Sequence, residues 1–204
     1  MNRSIIVAVT AVALASCATS GPKQAANFVS QVEESRETLQ ASKEEIQRAL
    51  VAVNALRRIK GGDLQAQYAA INSAVIQSGK KMIRFRKKFA SMDKTSESFF
   101  SGWAAELDEY TTAEFRKRSE ARLKKTRGRY NRLRSSMQEA EAKFIRLWAK
   151  LHDLVLYLNY NLNAKGVASV KGSVRALRSE ARKLYPRIDA AVHEADGFIK
   201  WMGP

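Results

Sequence analysis

The sequence predicts an all-α protein: long antiparallel, coiled-coil-like helical hairpins forming an elongated three- to four-helix bundle. Three observations carry this expectation. Only 10 Gly and 3 Pro interrupt 204 residues, and the chain is 45% hydrophobic and 27% charged, a composition that favours helix over sheet. Apolar residues recur every three and four positions along most of the chain, which keeps one stripe of each helix facing a partner. The repeat is sustained over many heptads, the condition for a coiled coil. The breaks between runs are short, so consecutive helices are expected to double back on one another.

The first element is not part of the bundle. Met1-Asn2-Arg3 is a short positive segment, followed by an apolar run from Ile5 to Ala13 that ends in Leu14-Ala15-Ser16-Cys17. The run is too short to span a bilayer and has the length of a secretory signal's apolar core. Its end resembles the bacterial lipobox, in which the cysteine is acylated, by palmitate among others, and becomes the first mature residue. Cys17 is the sole cysteine, so no intrachain disulfide can form, and lipidation gives a lone cysteine in an exported chain its reason. Residues 1–16 are therefore expected to be a lipoprotein signal peptide. Residues 17–26 would be the lipidated Cys17 and a flexible tether with Gly21-Pro22, and 27–204 a single elongated helical domain. Ala18 rather than Asp at the second mature position points, by analogy with sorting in Gram-negative bacteria, to the periplasmic side of the outer membrane over the inner membrane.

Four apolar seams follow. The first is Phe28, Val32, Leu39, Ile46, Ala49, Val53 and Leu56, with Ser35 and Ser42 as weak positions. Gly61-Gly62 is expected to break this helix and Asp63 to cap the next. The second seam runs through Leu64, Tyr68, Ile71, Val75, Ser78, Met82, Phe85, Phe89 and Met92, and less cleanly through Phe99, Trp103 and Tyr110. Thr111-Thr112 can cap a third helix, whose seam extends from Ser119 and Leu123 to Leu154 and Leu158. Asn161 to Gly166 reads as a turn, since Asn and Gly tolerate left-handed backbone. The fourth seam runs from Val167 to Met202 and contains Pro186, expected to kink or split the helix. If the helices fold back at these turns, Phe28 faces residue 95 or so and Met202 faces residue 126 or so. The stretch Glu97–Thr126 would then project as a two-helix tip, on the order of 20 Å long.

From Phe85 onward the chain resembles a bacterial family of unknown function, domain of unknown function 2959. The resemblance rests on Phe99-Phe100-Ser101-Gly102-Trp103, Glu106-Leu107 and Tyr110, then on Arg116, Ser119, Leu123, Thr126 and Tyr130 at helical spacing. Asn161-Leu162-Asn163-Ala164 and Glu194-Ala195-Asp196 with Phe198-Ile199 complete it. The family tends to carry Lys-His before the Asn-Leu-Asn-Ala element, where this chain has Asn159-Tyr160, so no role for that His transfers. The resemblance implies a helical, exported or lipidated bacterial protein, and no activity.

Residues for catalysis are few. His152 and His193 are the only histidines, and neither has a second His or Cys at ligand spacing. Gly79-Lys80-Lys81 lacks the flanking residues of a phosphate loop. No enzyme, catalytic residue, cofactor or metal site is expected. Asn161-Leu162-Asn163-Ala164 could bind something, but two Asn closing a helix is the simpler reading.

The net charge of +16 implies acidic surroundings or partners. Its densest parts are Lys80, Lys81, Arg84, Arg86, Lys87 and Lys88, and then Arg116, Lys117, Arg118, Arg122, Lys124, Lys125, Arg127, Arg129, Arg132 and Arg134. The candidates for binding an anionic partner are Lys80, Lys81, Arg84, Arg86, Lys87, Lys88, Lys124, Lys125, Arg127 and Arg129. Pairing with Glu33, Glu34 and Glu37, and of Glu194 and Asp196 with Arg132 and Arg134, should offset part of this belt. A self-pairing solvated face explains much of it. Phe99, Phe100 and Trp103 are the candidate membrane-facing residues of the tip, since aromatics suit a membrane interface, with core filling as the competing explanation.

The expected function is a membrane-anchored envelope lipoprotein acting as a non-enzymatic scaffold, spacer or binding protein. Its partners would be the membrane through acylated Cys17, then anionic lipid, lipopolysaccharide or an acidic envelope protein. The alternatives are a cytoplasmic nucleic-acid-binding helical protein, which the export signal argues against, and a periplasmic chaperone or assembly subunit whose serine-bearing seams another chain completes.

Overall fold

The structure is a computed structural model and describes residues 20–56 and 63–203. The signal segment, Cys17 and the Gly61-Gly62 break lie outside the described residues. The fold is all-α. Helix α1 spans Ser20–Ala55, α2 Leu64–Glu106, α3 Ala113–Tyr160, α4 Ala164–Ser169 and α5 Lys171–Met202, with a 3-10 turn at Leu107–Glu109. At 1.5 Å per residue, the 48 residues of α3 extend about 72 Å.

Seam residues become core because each buried aliphatic or aromatic side chain contributes about 1.5–3 kcal/mol when removed from water. Phe28, Val32, Leu39, Ile46, Ala49 and Val53 of α1 are completely buried. So are Ile71, Phe85 and Met92 of α2, Leu133, Met137, Phe144 and Leu151 of α3, and Ile188, Ala191 and Ala195 of α5. Ser35, Ser42 and Ser78 are buried at seam positions too. Each hydroxyl satisfies itself by donating to a carbonyl of its own helix, at Gln31, Thr38 and Val75, so none needs another chain to complete it.

The helices form a ring in which α1 packs on α2, α2 on α3, α3 on α5, and α5 back on α1. Contacts advance along one helix as they retreat along its neighbour. Tyr68, Asp93 and Trp103 of α2 meet Asn159, Tyr130 and Ser119 of α3. Lys150 and Thr126 of α3 meet Glu180 and Trp201 of α5. Arg36 and Lys43 of α1 meet Asp196 and Asp189 of α5.

Several local expectations are corrected. Residues 20–26, expected as flexible tether, open α1. Pro22 stands in the first turn, where backbone N–H groups have no helical partner and a missing one costs nothing. Pro186 does not split α5, which is continuous across it. It lies among exposed residues, so the carbonyl it leaves without a helical donor, that of Arg182, can bond water. The turn after α3 is only Asn161 to Asn163. Asn163 caps α4 by accepting from the Gly166 N–H at 2.9 Å. Gly166 itself serves no left-handed turn: a Cβ there would fall 1.9 Å from the Asn161 carbonyl oxygen. Asp63 caps α2 as expected, accepting from Ala66 N–H at 3.0 Å.

Candidate functional site

Phe28 meets Phe99 and Phe100 of α2, Tyr130 of α3 and Phe198 of α5 with ring centroids 5.2–5.7 Å apart. Every long helix contributes a ring to this knot. Phe28 was expected opposite residue 95; it sits against residues 99 and 100, and α1 starts early enough for its first turns to run beside α2 as far as Gly102 and Glu106.

That extra coverage removes the expected membrane-facing residues from the surface. Phe99 and Phe100 are only 6% and 5% exposed. α2 has neighbours on both flanks, so two adjacent rings can both be buried: Phe99 leans on Trp103, Phe100 on Tyr130. Trp103 is half-buried and donates from Nε1 to Ser119 Oγ at 2.9 Å. The projecting tip is correspondingly shorter, and the aromatics it exposes are Tyr110 at 41% and Phe115 at 56%.

Where helices meet at the waist, charges answer one another at seven-residue spacing. Between α2 and α3, Arg86 pairs with Glu141 at 2.7 Å, and Asp93 accepts from Arg134 Nε at 2.9 and 3.0 Å and from the Tyr130 hydroxyl. Burial, with the Asp93 bond adding to it, pushes the Tyr130 hydroxyl well above its ordinary pKa. Between α1 and α5, Arg36 pairs with Asp196 at 2.6 Å and Lys43 with Asp189. Lys88 pairs with Glu34 at 2.6 Å, as expected. Arg134 and Asp196 do not meet each other as expected, because Asp189 and Asp196 sit on the flank of α5 that faces α1. Such exposed pairs stabilise by about 0–1 kcal/mol each; repeated along a seam, they favour one register.

Of the candidate binding residues, Arg86 and Lys88 are thus neutralised. Lys80, Arg84, Lys87, Lys124, Lys125 and Arg127 are exposed, and Lys81 and Arg129 half-buried. Arg127 lies over the Phe100 ring, its Cζ 5.3 Å from the centroid.

Sequence reasoning missed Trp201. Its Nε1 donates to Thr126 Oγ1 at 3.0 Å. Over its ring stand Arg129 Cζ at 4.4 Å, Lys125 Nζ at 4.6 Å and Arg122 Cζ at 5.9 Å. Trp201 is half-buried, and a cation near the surface gains about 0.5–1 kcal/mol from such a ring. Two unit charges 6 Å apart repel by about 0.7 kcal/mol in water and about 3 kcal/mol at an effective dielectric of 20, so the attraction and the crowding are comparable.

Other motif residues have structural roles. Trp148 donates to the Val75 carbonyl at 3.0 Å and lies in a notch left by Gly79, where a Cβ would come 2.9 Å from the indole. His152 is half-buried and stacks on Trp148 at 5.1 Å. Asn161 donates to the Tyr157 carbonyl at 2.9 Å, so with Asn163 as cap the Asn-Leu-Asn-Ala element closes one helix and starts the next. Among the described residues, no group of three His, Cys, Asp or Glu is placed to hold a metal ion, and no helix is long and apolar enough to cross a membrane.

An all-helical bundle with a strongly basic surface is the class these features define. The chain belongs to a protein family of unknown function, DUF2959, whose model matches residues 15–202. No curated protein matches it.

Proposed function

We propose that this protein is a lipid-anchored envelope protein whose four long helices, paired as coiled-coil-like hairpins, act as a non-enzymatic scaffold or spacer with a basic surface toward anionic groups. The observation that carries the reading is Cys17, the sole cysteine, standing directly after a short apolar segment that ends in Leu14-Ala15-Ser16. The family match begins at residue 15, so Cys17 falls within it while most of the apolar segment does not. Only Ala18 and Thr19 separate Cys17 from α1, so a lipidated Cys17 would hold the bundle close to the bilayer surface. Helices of about 48 to 72 Å suit a spacer, and registers favoured by seven-residue charge spacing suit a stiff one. Ala18 favours the outer membrane.

The test is Cys17→Ala in cells, followed by fractionation and labelling with a palmitate analogue. The expected result is loss of label and release of the protein from the membrane fraction. Unchanged membrane recovery without label would contradict the anchor.

A further inference from the structure

Three positive groups converge on the Trp201 indole, and among the described residues no carboxylate lies in ion-pair distance of any of them. Arg122, Lys125 and Arg129 take no part in the ion pairs that bind Arg36, Lys43, Arg86, Lys88, Arg134, Lys150 and Arg187 to other helices. The Nε of Arg129 is buried without a hydrogen-bond partner. Cations gathered at one ring repel one another, and an anion placed among them would offset that repulsion. The arrangement is built from two helices: Arg122, Lys125 and Arg129 share one flank of α3 at helical spacing, while Trp201 comes from the last turn of α5.

Its position narrows what the anion can be. Arg122 also lines the cleft at the start of α1, together with Gly21, Pro22, Trp103, Met202 and Glu106, whose carboxylate lies beyond ion-pair distance. Cys17 is three residues before Ser20, and three extended residues span about 10 Å. The head-group zone of a leaflet is of similar depth, about 5–8 Å. Nine residues separate Arg122 from the start of α3, so the exposed Tyr110 and Phe115 lie beyond it on the tip, in the direction away from the rest of the bundle. Aromatics at the boundary of the apolar layer with cations at phosphate level match the composition of a membrane interface.

We propose that the Arg122, Lys125, Arg129 and Trp201 cluster binds the phosphate of anionic phospholipid head groups, seating the anchor end of the bundle on the bilayer it is tethered to. This rests on the lipid-anchored reading for its geometry. It concerns a surface separate from Cys17, so it is tested without acylation.

The experiment uses the mature chain, residues 17–204 with Cys17→Ala, cosedimented with vesicles of phosphatidylcholine alone or of phosphatidylcholine with phosphatidylglycerol. Arg122→Gln, Lys125→Gln and Arg129→Gln are combined in one variant. A second variant, Lys143→Gln, Arg146→Gln and Lys183→Gln, removes the same charge from the α3–α5 face farther from the anchor. Arg122→Lys with Arg129→Lys keeps the charge, and thermal melts establish that each variant is folded. Lys125→Glu alone, at an exposed position, takes the place of the triple variant should that one unfold.

The expected result is binding to the anionic vesicles only, weakened on the order of 100-fold by the cluster variant, several-fold at most by the distal variant, and little by the Lys-for-Arg pair. Equal weakening by both charge-removing variants would mean that general charge, and no particular cluster, meets the membrane, and would overturn the proposal. Release of the wild-type chain from vesicles by millimolar inorganic phosphate, matched by a phosphate-induced change in tryptophan fluorescence without vesicles that Trp201→Phe abolishes, would assign the cluster to a soluble anion and overturn it as well. Either failure leaves the anchor at Cys17 to be judged by fractionation.

Discussion

The half of the bundle nearest the start of α1 and the half nearest α4 are built from the same heptad seams but filled differently. The near half is tied together by rings: Phe28, Phe99, Phe100, Tyr130 and Phe198 meet across all four long helices. The far half is filled mostly by aliphatic side chains such as Val53, Ile71, Leu151, Leu158 and Val174, and there Gly166 lies so close to the Asn161 carbonyl that a Cβ would not fit. The two exposed faces differ as well. At the waist, cations between helices meet carboxylates; around Trp201 they meet an indole and one another. A periodic core thus allows one bundle to carry a waist whose interhelical cations are paired and, around Trp201, a cluster of cations without an ion pair among the described residues.

The largest effect should come from the ring knot. Phe28→Ala empties a completely buried site and should cost about 3–5 kcal/mol, lowering the thermal midpoint by roughly 10 °C for a chain of this size. A drop no larger than an aliphatic deletion of one methyl group gives, about 1 kcal/mol, would erase the distinction between the halves. Next is the far end. Gly166→Ala sets a methyl group against backbone that cannot swing aside, and should cost about 2–3 kcal/mol. A neutral result in a thermal melt would mean that the α3–α4 turn is looser than the knot-bearing end.

The smallest effect joins the two sections at Asp93. Tyr130→Phe removes one donor while leaving Arg134, and should cost about 1–2 kcal/mol at neutral pH. Because the hydroxyl is held above its ordinary value near 10, the folded chain retains that proton more firmly than the unfolded one. Its contribution is complete below pH 10 or so and is lost as pH rises toward the raised value. Tyr130→Phe should therefore flatten the alkaline fall in stability measured by urea titration at several pH values. Tyr185, also raised by burial, should contribute to the slope that remains.

Periodicity made the core legible almost residue by residue, because burial depends only on which flank of a helix points inward. What it left open depends on rotation and on chain ends. Gly21-Pro22 has the composition of a turn, yet proline in a first helical turn loses nothing, and the early start of α1 then buried Phe99 and Phe100. Asp196 was assigned to α3 because spacing identifies a flank and says nothing about which of two neighbours that flank meets. Arg122, Lys125 and Arg129 stand at helical spacing in the sequence, a visible stripe. Its significance needed Trp201, 72 residues beyond Arg129, brought beside Thr126 by the packing of α5 on α3. Met202 was expected at that level, so the signal was within reach.

The most direct test of the central claim, that the α1 end of this bundle is tethered to lipid, is the mass of the mature chain recovered from membranes. The expected mass begins at Cys17 and includes diacylglyceryl and N-acyl groups on that residue. A chain that keeps Met1, carries no acyl mass and is recovered from the cytosol would contradict it.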